Sequence, residues 1–139
     1  MYLIFDTETT GLPRDYSAPI TDFDNWPRLV QLAWQLHDHT GKLMSSGNYI
    51  VKPEGFTIPF NSEKIHGIST KKAIEEGHDL GFVLQEFRKD MDRAHFLIGH
   101  NVSFDENIMG AEYLRKKIAS AIMDKPKIDT KDESTEYVA

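Results

Sequence analysis

The stretch YLIFDTETTGL, residues 2–12, places two carboxylates, Asp6 and Glu8, one residue apart behind an apolar run. Leu3, Ile4 and Phe5 read as a buried strand, and side chains two apart on a strand project to the same side. Two unit charges about 5 Å apart repel by roughly 3 kcal/mol at an effective dielectric of about 20. A proton on one acid, a cationic side chain between them or a metal ion would remove that cost. No Lys or Arg follows until Arg14, so a local salt bridge is not the obvious remedy. Taken alone, D-x-E is most often a surface pair or a turn cap. Here the strand before it and Thr9-Thr10-Gly11 after it set the pair apart.

Asp105 is the third acid of interest. It falls in the first turn of a helix opened by Asn101-Val102-Ser103, directly after the apolar FLIG of residues 96–99. In isolation it reads equally well as an acid compensating the helix dipole. In open α/β sheets, however, sites gather where strands end. A strand-end pair and a helix-start acid after a neighbouring strand would converge on one pocket. Three hard oxygen ligands, in a chain with no cysteine, favour Mg²⁺ or Mn²⁺ over zinc.

The elements that must position these acids are legible in outline. Residues 1–6 read as a first strand, and residues 9–28, rich in Pro, Asp, Ser and Gly, as a long loop of the kind that often carries function. LVQLAWQLHD alternates as a second strand, with Val30, Leu32, Trp34 and Leu36 on one face and Gln31 and Gln35 on the other. HTGK turns it back into a third, LMSSGNYIV, as an antiparallel hairpin. Two short helical pieces follow, NSEKIHGIS, capped by Asn61 or Ser62, and TKKAIEEG from Thr70. Residues 80–93 space Phe82 or Val83, Phe87 and Met91 as an amphipathic helix, and HFLIGHN is a strand ended by Gly99. From Ser103 to Ala121 a helical stripe runs through Phe104, Ile108, Ala111, Tyr113 or Leu114, and Ile118, and PKIDT makes a last short strand. The order β-β-β-α-β-α-β predicts an α/β fold with a mixed sheet, three antiparallel strands followed by helix-linked ones.

Length and charge bound what such a chain can do. Its 139 residues, 40% of them hydrophobic, suffice for one domain with a core. Disulfides and thiolate metal sites are excluded by the lack of cysteine. The apolar runs are too short to span a bilayer and Met1-Tyr2-Leu3 enters a strand without signal-peptide features, so a cytoplasmic protein with no membrane partner is expected. The net charge of −6 argues against a broad basic face for nucleic acid. It leaves room for a site that holds one chain end in a pocket whose positive charge comes from metal.

FDTETTGL, HGIS, IGHNVSFDENIM and IDT, in that order, resemble the DEDD-type 3′–5′ exonucleases, nearest to the proofreading epsilon subunit of bacterial DNA polymerase III and its homologues, over nearly the whole chain. The resemblance implies a ribonuclease H-like fold, with Asp6 and Glu8 as the first acidic motif and Asp105 as the second, all three catalytic and metal-binding. It implies two Mg²⁺ or Mn²⁺ ions about 3.5–4 Å apart, activating a water and stabilising the leaving oxygen at the 3′ end of single-stranded DNA. Thr9 and Gly11 would cradle the terminal nucleotide and Leu12 would wedge against its base. His66 would touch it too, and Asn101 would pin the loop beside Asp105, with Phe104 in the core. Asp129 corresponds to an acid that supports the site without binding metal. A DNA polymerase subunit is the partner the resemblance suggests.

Such enzymes carry a third acidic motif, a fourth carboxylate preceded by a His or Tyr base, on a helix some tens of residues beyond IDT. No segment up to Ala139 resembles it, and STEYVA has a Tyr without a following acid. Residues 1–139 therefore read as the N-terminal portion of an exonuclease domain, lacking its closing helix, with impaired activity; loss of a general base alone costs about 10²–10⁴-fold. The competing class is a non-catalytic nucleic-acid-binding or polymerase-associated module of the same fold. A third is an RNA-directed exonuclease, since discrimination depends on contacts to the 2′-hydroxyl.

Overall fold

A computed structural model describes residues 1–131; the stretch 132–139, which includes STEYVA, lies outside the described residues. The described chain runs β1 (Tyr2–Thr9), β2 (Leu29–His37), β3 (Leu43–Ile50), α1 (Phe60–His66), α2 (Thr70–Glu76), α3 (Leu80–Arg93), β4 (Phe96–Gly99), α4 (Val102–Arg115) and β5 (Lys127–Asp129). These strands form one sheet in the order β3-β2-β1-β4-β5. β1 and β2 pair antiparallel, as do β2 and β3, whereas β4 runs parallel to both β1 and β5. This is the expected mixed sheet.

One sheet face is packed and the other largely bare. Leu3 and Phe5 of β1 and Leu32, Trp34 and Leu36 of β2 point into a core shared with Leu84, Phe87 and Met91 of α3 and Ile108 and Tyr113 of α4. Asp79 caps α3 by accepting from the Phe82 amide at 3.0 Å, and Val83 takes the core position while Phe82 is exposed. Trp34 crosses β3 where that strand has Gly47; a Cβ there would lie 2.3 Å from the indole. The indole nitrogen donates to Asp90 of α3 at 2.8 Å, and Ser45 Oγ donates to the same oxygen at 2.7 Å, so one buried carboxylate ties α3 to two strands. The hairpin turn is built on Asp38, whose side chain accepts from the Thr40 hydroxyl and amide and the Lys42 amide. The bond from the Thr40 hydroxyl, above all, draws its carboxyl down to about 2.

On the other face α1 and α2 cover only one end, where Ile58, Ile68 and Ala73 pack on Val30 and Ile50. Beyond it Ile4 and Ile128 stay exposed and Tyr2, Phe96 and Ile98 half-exposed, with no described element over them. Among the described residues no helix is long and apolar enough to cross a membrane.

Four local expectations need correction. Val30 packs with Ile58 and Ile68 and not with Leu32, Trp34 and Leu36, because the β1–β2 register slips at Val30. β1 continues to Thr9 instead of ending at Asp6, because β2 pairs with it as far as Thr9↔Leu29, so the loop is residues 10–28. Neither Asn61 nor Ser62 caps α1, which starts at Phe60 behind Pro59 with no side-chain cap; Ser62 is used elsewhere. Helix α4 stops at Arg115, not at Ala121: Lys117 takes a left-handed conformation (φ 57°) and the Ile118 amide donates back to the Tyr113 carbonyl at 3.0 Å. That closure satisfies the last carbonyls and folds Ile118 back onto the core from outside the helix.

Candidate active site

β1 carries its two acids within the strand. Asp6 lies opposite Ala33 and Glu8 opposite Gln31, both on the bare face, with a bulge after Glu8. Asp6 is exposed and Glu8 half-buried. Between them Thr7 points the other way and is buried. Its hydroxyl donates to Asp105 Oδ1 at 2.5 Å, so Asp105 meets the strand from the helix-bearing side.

The start of α4 is held in place by backbone chemistry. Gly99 ends β4 with Val102 packed against it; a Cβ on Gly99 would sit 3.0 Å from Val102 Cγ2. Asn101 then reverses the chain in the left-handed region (φ 59°, ψ 51°), a conformation asparagine tolerates better than most residues. The cap for α4 comes from β5, since Asp129 accepts from the amides of Asn101 at 2.9 Å and Val102 at 3.2 Å. Burial works against the charge of Asp129, yet these amides and that of Lys131 hold its carboxyl below the ordinary range.

The three acids share one electrostatic field. Burial, chiefly, then the charge of Asp6, raises the Glu8 carboxyl, with His66 pulling the other way. Burial pushes Asp105 up to about 7; the Thr7 bond opposes this, and Asp6 and Glu8 add to it. No ion pair among the described residues engages any of the three.

Beside Glu8 opens a pocket of about 240 Å³ whose walls include Thr9, Gly11 and Leu12 on one side, Ile65 and His66 on the other, and Phe104. The Thr9 hydroxyl donates to the Gly11 carbonyl at 2.8 Å, drawing the chain into a tight bend. Gly11 has φ 154° with no atom within 4 Å of where a Cβ would lie, so conformation and not space demands glycine. Leu12 is 74% and Ile65 82% exposed, two apolar side chains offered to solvent across the cleft. His66 Nδ1 accepts from the Ile68 amide at 3.1 Å, which puts the ring proton on Nε2. That Nε2 is buried and, among the described residues, without a partner.

Sequence and structure compare residue by residue. Thr9, Gly11, Leu12 and His66 line the pocket with Glu8. Asn101 and Asp129 sit at the start of α4, outside it. Phe104 both packs on the core and lines the pocket. Sequence reading missed Thr7, although strand alternation already turned it away from Asp6 and Glu8. It also missed Ile65, an apolar residue of α1 that stays exposed beside His66.

A hard divalent cation suits this donor set in kind, as three carboxylates that no described ion pair engages, two of them pushed toward protonation. The acids are not gathered around one point, however: among the described residues no three His, Asp or Glu side chains are grouped to hold a metal ion.

A mixed five-stranded sheet with acids on its central strand and at the head of the helix that follows the neighbouring strand defines an α/β protein of ribonuclease H-like architecture. Escherichia coli exonuclease I in complex with a dT13 oligonucleotide superposes with a TM-score of 0.72 over 92% of this chain and 27% of that one, at 19% identity. Its apo form gives 0.74 over 96% and 29%. The chain matches the exonuclease family (RNase_T) over residues 3–137, and it belongs to that family. It is 34% identical over 136 residues to DNA polymerase III PolC-type of Latilactobacillus sakei subsp. sakei, and 31% identical over 129 residues to that of Streptococcus thermophilus. Each alignment takes in 93% of this chain and 8% of the relative's length.

Proposed function

We propose that this domain is a metal-dependent 3′–5′ exonuclease of the proofreading type, acting on the end of single-stranded DNA. The observation that carries the reading is the pocket joining Glu8 to an apolar cradle with one unanswered hydrogen-bond donor. Leu12, Ile65 and Phe104 offer surfaces for a terminal base, and base–apolar contact needs no sequence preference. The close backbone at Thr9 and Gly11 leaves room for the sugar, and His66 Nε2 donates to an oxygen of the nucleotide. Asp6, Glu8 and Asp105 would hold Mg²⁺ or Mn²⁺. When bound, such ions supply charge stabilisation and a water of lowered pKa for phosphodiester hydrolysis. The choice of DNA and of a polymerase as partner rests on the kinship with PolC-type DNA polymerase III.

One observation favours a second reading. Because the three carboxylates are not gathered, the same pocket could grip a nucleic-acid end without cutting it. Calorimetric titration with Mn²⁺ separates the two, combined with a 5′-labelled single-stranded oligonucleotide. Binding that is lost in Asp6→Asn and Glu8→Gln, with shortening from the 3′ end, supports the exonuclease. Oligonucleotide binding without Mn²⁺ uptake or shortening leaves the binding module.

A further inference from the structure

Glu112 is a wholly buried carboxylate in α4 that plays no part in the acidic site. An ion so placed is kept only when paired and fully hydrogen-bonded, and this one is. Arg28 Nε donates to its two oxygens at 3.1 and 3.3 Å, the Leu29 amide at 2.9 Å and Arg115 Nη1 at 2.8 Å. What these donors hold is more telling than the ion pair itself. Arg28 and Thr10 clasp each other by two backbone-directed bonds: the Thr10 amide donates to the Arg28 carbonyl at 3.0 Å, and the Arg28 amide donates to Thr10 Oγ1 at 3.0 Å. The Thr10 carbonyl in turn accepts from Ser62 Oγ of α1 at 2.6 Å, and Ser62 is buried.

Thr10 lies between Thr9 and Gly11, and Ser62 is one helical turn before His66. Both walls of the pocket are thus tied, through Arg28, to one carboxylate that touches neither. We propose that Glu112 is a positioning residue that sets the width of the nucleotide pocket through the path Arg28–Thr10–Ser62, a role that rests on the pocket being the nucleotide site. A carboxylate that merely supported the core would stabilise the fold without governing Thr9–Leu12 against α1.

The test uses Glu112→Gln, with Thr10→Val and Ser62→Ala at the far end of the path in case the first variant folds poorly. Amide hydrogen exchange is followed over residues 9–12, 60–67 and 80–93, together with the Kd for a single-stranded pentathymidylate in Ca²⁺. The expected result is exchange about tenfold faster over 9–12 and 60–67, with 80–93 unmoved, and a Kd about tenfold weaker. Thr10→Ser, which keeps the oxygen, should restore both. Unchanged exchange in the two walls, or faster exchange with an unchanged Kd, overturns the positioning role alone. A wild-type domain that does not bind the oligonucleotide overturns the nucleotide-site reading, and this role with it.

Discussion

Thr7 stands between two acids in the chain and behind them in space, and from there it opposes the burial that keeps a proton on Asp105. Burial, chiefly, with the charges of Asp6 and Glu8, opposes ionisation, while the Thr7 hydroxyl and the Thr7 backbone both hydrogen-bond to the carboxylate and favour it. With a folded-state carboxyl at about 7 against an ordinary 3.8, the folded protein retains a proton that the unfolded chain has released. Stability in the absence of metal should therefore fall as pH rises from about 4 to about 7 and stay low above that. Asp105→Asn removes the penalty, so urea unfolding should find it more stable than wild type at pH 8, on the order of 2 kcal/mol, and equal to it at pH 4. The same variant should lose metal-dependent turnover. At His66 the matching prediction concerns one donor. His66→Asn keeps an acceptor near the Nδ1 position for the Ile68 amide and deletes Nε2–H, and oligonucleotide affinity by fluorescence anisotropy should drop about tenfold. The acids themselves were legible because D-x-E after an apolar strand is chemically odd. Thr7 and Ile65 were not, because a threonine or an isoleucine becomes informative only once the group it faces is known, and Asp105 lies 98 residues from Thr7.

Among the elements, the strands and the long helices could be read from periodicity, and their ends could not. β1 outran its apolar run because pairing with β2, not hydrophobicity, decides how far it extends. α4 ended early, at Arg115, and no glycine announces the left-handed turn at Lys117. Short α1 has no side-chain cap to betray its start. Polar tethers between elements were equally hidden, since Asp90 is 56 residues from Trp34 and 45 from Ser45. Asp90→Ala strands two donors, the indole N–H and the Ser45 hydroxyl, and should cost about 2–4 kcal/mol in denaturant unfolding. Asp90→Asn, which keeps an acceptor, should cost less. Neither should alter oligonucleotide binding below the melting temperature, because the tether lies on α3 and β3, away from the pocket. Asp38 gives a milder pH signature in the opposite sense to Asp105: its lowered carboxyl supports the hairpin above about pH 4 and loses that contribution as pH falls through about 2.

At the scale of the whole molecule, the excess of acids fits a domain that takes a strand by its end. With a net charge of −6 and no broad basic face expected, binding should release few counterions. The slope of log Kd against log salt should then be shallow, about 1–2, where a protein contacting six or more phosphates would show far more. The mixed topology was predictable from the order of hairpin and helices; which sheet face lies open was not, since alternation marks two faces without saying which receives a helix. That open face has a consequence for handling. Tyr2, Ile4, Phe96, Ile98 and Ile128 leave oily surface on a body kept apart from its copies by surplus negative charge. Near the isoelectric point of about 5.4 that repulsion vanishes while the oily surface remains. Colloidal attraction then dominates, and the protein should cloud in mildly acidic buffer well before it unfolds.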